Sequence, residues 1–206
     1  MTRRASFCLA AAGLVAVALT AAPANAGLLA TGPASTCETQ ASQTFRPWSD
    51  YAHYVLVPGG SFESGAASWS LAKGAKIVLG NEPFYVRSRS DSRSLYLPAG
   101  GSAITPTVCF AFGDWHLRFF VRNKGAATSA LKVDIVVQSA LGLLSVLDGG
   151  SVTGGGVWRP SPRVGLLVSN VTSLLGTSAV AFRLRAVGTG AAFQVDDVYL
   201  DPWKSS

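Results

Sequence analysis

The sequence predicts an all-β fold, a sandwich or a barrel, and three observations predict it. Short apolar runs are cut again and again by Gly, Pro, Ser and Asn, with 22 Gly and 10 Pro in 206 residues. No long stretch carries the 3.6-residue apolar period of an amphipathic helix. Several runs instead alternate apolar and polar residues, the period of two that a half-buried antiparallel strand requires.

Taken in chain order, residues 1–26 have the three parts of a targeting segment. Arg3 and Arg4 form a positive head, 8–19 an apolar stretch, and Ala24-Asn25-Ala26 a small-x-small cleavage signal before Gly27. The apolar stretch is shorter than the roughly 20 residues that span a bilayer, and Pro23 closes it. A cleaved signal peptide is therefore expected, leaving a secreted, extracellular chain with no transmembrane segment. Residues 27–50 read as an irregular N-terminal segment and 51–206 as the β-domain.

Strands are expected at 51–57, 68–71, 76–79, 84–86, 94–97, 105–112, 116–122, 130–138, 143–147, 179–185 and 192–200. In the run from Trp115 to Arg122, Leu117, Phe119 and Val121 share one face, and His116, Arg118, Phe120 and Arg122 the other. Likewise Val180, Phe182 and Leu184 point inward while Arg183 and Arg185 point out. In the last strand Phe193 and Val195 share one parity and Val198 and Leu200 the other, so the phase slips at Asp196-Asp197 and a bulge is expected there. Residues 149–156 (GGSVTGGG) read as a flexible loop and 160–176 as a long connection. Trp69 and Trp158 read as core or edge packing, and Trp48 and Trp203 as a pair near the termini.

Two cysteines remain in the mature chain, Cys37 and Cys109. In an oxidising compartment an even pair reads as a disulfide, which would tether the N-terminal segment to the domain. Closing that loop restricts the unfolded chain by on the order of 4 kcal/mol. Zinc is not expected, since His53 and His116, the only histidines, lie at no ligand spacing from a cysteine. Removing Arg3 and Arg4 from 17 basic residues leaves 15 against 11 acidic ones, a mild net charge of +4. The densest basic run, VRSRSDSR, holds Asp91 inside it and reads as a solvated loop, so no nucleic-acid partner is expected. The Ala/Gly/Val-rich composition is of a bacterial kind.

Two short segments carry a resemblance. Pro58-Gly59-Gly60-Ser61-Phe62-Glu63-Ser64-Gly65, followed by Trp69, and Phe193-Gln194-Val195-Asp196-Asp197-Val198-Tyr199-Leu200 resemble the opening and closing motifs of galactose-binding-like jelly rolls. Carbohydrate-binding modules of families four, nine and twenty-two are the nearest in style. Between the two segments, Asp91 to Leu95 and Leu117 to Arg122 look like inner strands of the same fold. The resemblance covers about residues 55–201. It implies a two-sheet antiparallel β-sandwich of jelly-roll type.

The resemblance also implies function. A structural calcium in such modules bridges the opening glutamate and a closing aspartate, which nominates Glu63 and Asp196; pairing with Arg or Lys, or turn capping, is the other reading. Sugar rings stack on aromatic faces beside polar groups, so His116, Arg118, Phe120 and Arg122 are expected to bind ligand if their face lines the concave sheet. Tyr85, near Asn81 and Glu82, is a further candidate. No G-x-S-x-G, H-E-x-x-H, G-x-x-x-x-G-K-[ST] or C-x-x-C occurs, and chance carboxylate pairs such as Glu82 with Asp91 or Asp114 assemble nothing by themselves. The expectation is a non-catalytic protein that binds carbohydrate or cell-wall polymer. The alternative is an extracellular structural or adhesive protein with a protein partner.

Overall fold

The computed structural model describes residues 41–108, 115–139, 144–166 and 177–201. Among them are twelve strands, one 3₁₀ turn and no α-helix. The strands are β1 Val55–Leu56, β2 Ser70–Ala72, β3 Lys76–Leu79, β4 Arg93–Pro98, β5 Ser102–Ile104 and β6 Trp115–Asn123. They continue with β7 Ala130–Ser139, β8 Leu144–Val152, β9 Arg159–Pro160, β10 Val164–Leu166, β11 Thr177–Val187 and β12 Ala192–Asp201. All pair antiparallel, in two sheets. The first runs β10-β6-β12-β4-β3, with β1 added to β12 and β9 to β6; the second runs β2-β5-β11-β7-β8. The fold is the expected two-sheet β-sandwich.

The core lies between the sheets. Leu117, Phe119 and Val121 of β6 and Phe193, Val195, Val198 and Leu200 of β12 meet Val133, Ile135, Val137, Val180, Phe182 and Leu184 from the second sheet. The alternation read from the sequence is the alternation observed, because a slip of one residue would carry each whole set to the outer face. Trp69 is buried in this core against Phe62, and Trp158, just before β9, is buried in the aromatic cluster on the outer face of the first sheet.

The opening and closing motifs meet. The Val198 N–H donates to the Gly60 carbonyl at 3.0 Å, and the Val57 N–H donates to the Val198 carbonyl at 2.9 Å. A Cβ on Gly60 would sit 2.7 Å from the Val198 oxygen, so the approach requires glycine. The register of β12 against β6 shifts between Asp196 and Tyr199, and Asp197 takes a φ of 45°. The expected bulge is there.

Several strand expectations need correction. The stretch 84–86 is a turn, because the buried Glu82 carboxylate accepts hydrogen bonds from the backbone N–H groups of Phe84 and Val86. Only Val55–Leu56 of 51–57 is strand; Tyr54 instead bridges back to Ser42, its N–H donating to the Ser42 carbonyl at 2.8 Å. In 105–112, the N–H of Thr105 still bonds to β11, but past Pro106 the pairing shrinks to a single bridge at Val108, and the remainder lies outside the described residues. β8 runs on through the supposed loop to Val152. Its ladder absorbs one extra residue between Asp148 and Gly150, and a Cβ on Gly149 would lie 2.9 Å from the Val133 oxygen. Cys37, Cys109 and Trp203 lie outside the described residues.

Candidate functional site

The outer face of the first sheet carries Arg118, Phe120 and Arg122 from β6 and Gln194, Asp196 and Tyr199 from β12. Sequence reasoning placed a ligand groove on the β6 side of this face. At its centre the chain itself fills that space. Residues 42–54 fold back over β6 as a strap, pinned by the Ser42–Tyr54 bridge and by a 3₁₀ turn, Arg46–Trp48.

The strap contacts are aromatic and ionic. Phe45 stacks on Phe120 with ring centroids 5.4 Å apart and planes 24° apart. Tyr54 and Tyr199 meet Phe45 edge-on at 4.9 and 5.7 Å, and Trp48 meets Phe120 at 5.3 Å. Phe45, Tyr54 and Phe120 are fully buried. Beside them, buried Asp50 accepts hydrogen bonds from Arg118, Arg163 and the Tyr54 hydroxyl, the last at 2.7 Å. The Arg118 guanidinium also donates to the Ser161 carbonyl at 2.9 and 3.1 Å and lies 4.3 Å over the Phe45 ring. Burial alone would raise the Asp50 carboxyl, but the donors from Arg163, Tyr54, Arg118 and the Ala52 N–H hold it far below the ordinary carboxylate range.

Arg118 and Phe120 are therefore structural partners of the strap and line no open groove. Phe120 is covered by Phe45 and Trp48, and Arg118 is held by Asp50 and the Ser161 carbonyl. His116 is half-buried toward the start of β6, its Nδ1 without a hydrogen-bond partner among the described residues. Arg122 belongs to a polar row past the strap. Its Nε donates to Gln194 Oε1 at 2.7 Å, Gln194 donates to Ser94 Oγ at 3.2 Å, and Ser94 donates to the Gly80 carbonyl at 2.5 Å. The Arg122 guanidinium lies 4.9 Å over Trp158.

A carboxylate nest adjoins this row at the β12 bulge. Both Asp196 oxygens are engaged, Oδ2 accepting from the Glu82 N–H at 3.0 Å and Oδ1 from the Asp197 N–H at 2.9 Å. Asp197 differs. It is 1% exposed, and neither carboxylate oxygen has a hydrogen-bond partner among the described residues. Burial and then the Asp197 charge push Asp196 up to about 9; burial and the charges of Glu82 and Asp91 push Asp197 up to about 7. Glu63 accepts from the N–H groups of Ser92 and Arg93 at 2.9 and 2.7 Å. Of the nominated calcium pair, Asp196 is thus committed to backbone donors, and Asp197 is the carboxylate left over. Among the described residues no three acidic, His or Cys side chains converge as a ready-made metal cluster.

An open pocket remains between the strap and the 82–86 turn. It measures about 600 Å³ and is lined by Ser42, Gln43, Thr44, Arg46, Pro47, Trp48, Phe84 and Val86. Trp48 and Phe84 meet edge to face, centroids 4.9 Å apart. Phe84 is 42% exposed and the adjacent Tyr85 48%. Tyr85, the further ligand candidate, stands beside this pocket at a φ of 50°, and the other four ligand candidates lie on β6. Sequence reasoning missed the strap residues. The available signal was the density of rings at Phe45, Trp48, Tyr51 and Tyr54, across the boundary between the segment read as irregular and the expected strand 51–57.

The fold is the jelly-roll β-sandwich shared with carbohydrate-binding modules. No family model matches the chain, and no curated protein resembles it in sequence. Similar structures include the CBM22-1–GH10 modules of the Clostridium thermocellum N-terminal endo-1,4-β-D-xylanase 10B complexed with xylohexaose. That match has a TM-score of 0.50 at 11% identity, over 71% of this chain and 28% of that one. The CBM22-1 xylan-binding domain of Paenibacillus barcinonensis Xyn10C gives 0.49 at 16%, over 71% of this chain and 94% of that one. The family 11 carbohydrate-binding module of Clostridium thermocellum, in complex with a β-1,3-1,4-mixed-linked tetrasaccharide, gives 0.44 at 15%, over 71% and 95%. At these identities the likeness is one of fold.

Proposed function

We propose that the chain is a secreted, extracellular, non-catalytic protein that binds glycan or cell-wall polymer in the pocket beside Trp48 and Phe84. The observation that carries this reading is the composition of that pocket on the outer face of a jelly roll. Two aromatic rings offer surface for the C–H faces of a sugar, and Ser42, Thr44 and Gln43 offer polar groups for its hydroxyls. Among the described residues the only ionisable side chain in the lining is Arg46, which supplies neither a carboxylate pair nor a general base. Secretion is supported by the basic, apolar and small-x-small order of residues 1–26.

The same reading includes a structural calcium beside Asp197. The orphaned, buried carboxylate fits a hard cation, with backbone carbonyls as further oxygen donors, while Glu63, like Asp196, is already engaged by backbone N–H groups. Bound there, calcium would neutralise the acidic side chains at the junction of the opening and closing motifs.

Affinity electrophoresis of the mature chain through gels containing single polysaccharides tests the proposal. Retardation by at least one polymer is expected, lost in Trp48→Ala and in Phe84→Ala, with no reducing sugar released. Retardation that survives both substitutions would move the site elsewhere. No retardation by any polymer, with a protein captured from cell surfaces, would establish the structural or adhesive alternative.

A further inference from the structure

We infer that Arg46 makes the pocket selective for sugars bearing a carboxylate, so that the ligand is an acidic oligosaccharide. The inference rests on the glycan reading and specifies its substrate class.

Arg46 is exposed at the pocket and has no acidic partner among the described residues. Five arginines are paired with carboxylates, Arg118 and Arg163 with Asp50, Arg87 with Asp91, and Arg183 and Arg185 with Asp134; of the other described arginines, only Arg46 is in the pocket lining. Among the described residues no carboxylate lines the pocket, so these walls do not repel an anionic ligand. The nearest acid in sequence to Phe84, Glu82, is buried, with both oxygens bonded to backbone N–H groups.

The backbone that carries Arg46 is ordered. Pro47 fixes the turn, the Trp48 N–H donates to the Phe45 carbonyl at 2.9 Å, and the Ser49 N–H donates to the Arg46 carbonyl at 3.0 Å. Phe45 is in turn locked against Phe120. A planar cation beside an aromatic wall recognises a planar carboxylate by two parallel hydrogen bonds, while the sugar ring lies against the aromatic. The walls at Ser42 and Thr44, whose hydroxyls are 2.6 Å apart, present neutral polar groups only.

The test compares polygalacturonate and alginate with their methyl esters, which keep the backbone and remove the charge, and adds dextran sulfate as a carboxylate-free polyanion. Wild-type mature chain should bind at least one acid polymer about tenfold more tightly than its ester. Arg46→Gln should erase that difference without moving the melting temperature. Equal affinity for acid and ester, a preference surviving Arg46→Gln, or dextran sulfate bound as tightly as the acid polymer would each overturn the inference. If neutral glycans bind while acid polymers gain nothing, the glycan reading stands and the selectivity falls. If no glycan of any kind binds, the reading itself falls.

Discussion

Phe45 lies nearly parallel on Phe120, ring centre to ring centre 5.4 Å, and both rings are closed off from solvent. This pair joins the strap to the sheet and decides which part of the outer face stays available to a ligand. Phe45→Ala should destabilise the protein by about 3 to 5 kcal/mol, the usual cost of emptying a buried aromatic site. Urea denaturation followed by far-UV circular dichroism measures it; a change under 1 kcal/mol would mean that the strap contributes little.

Asp50 holds two guanidinium groups, one of them the buried Arg118. Removing the carboxylate leaves Arg118 without its anion, so Asp50→Ala should cost about 3 to 5 kcal/mol. The pH dependence follows from the same residue. Its folded pKa lies below the unfolded value, so its contribution is present above the unfolded pKa and is lost as pH falls through the folded one. Asp134, lowered by hydrogen bonds from Arg185 and Arg183 that outweigh its burial, acts in the same direction. Melting temperature should therefore fall on acidification below about pH 4, and less steeply in Asp50→Ala.

At the bulge, Asp197 gives a prediction with a sign. Without calcium, a buried carboxylate with no partner disfavours folding, so Asp197→Asn should raise the melting temperature in chelator. With calcium, wild type should gain stability and Asp197→Asn should gain none. Identical melting curves for wild type with and without calcium would remove the cation from the account.

Gly60→Ala tests the junction of the two motifs. An added methyl group meets the carbonyl oxygens of Val198 at 2.7 Å and Val57 at 2.8 Å, both backbone atoms that cannot swing aside. A loss of about 1 to 3 kcal/mol is expected, again from urea denaturation.

What the sequence made legible was what period two encodes. The inward sets of β6 and β11 and the phase slip in β12 each followed from alternation alone, because a sheet with one buried face has only one register that works. The contact between Phe62's segment and Val198's followed from the resemblance. That Arg118 and Phe120 are covered is something alternation cannot reveal: it separates the two faces of β6 but not whether a distant segment covers the outer one. Phe45 and Phe120 are 75 residues apart in the chain, and nothing local to either names the other. Asp196 and Asp197 are adjacent and chemically alike, and only the φ of 45° at Asp197 separates the bonded carboxylate from the orphaned one.

The central claim is that the pocket between strap and turn receives a sugar. Backbone amide chemical shifts of the mature chain, recorded while neutral and acidic oligosaccharides (xylotetraose, cellotetraose and tri-galacturonate) are added in turn, test it most directly. Saturable shifts concentrated at 42–48 and 84–86, with β8 on the opposite sheet silent, are predicted. Saturable shifts confined to the opposite sheet, or none at millimolar ligand, would contradict it.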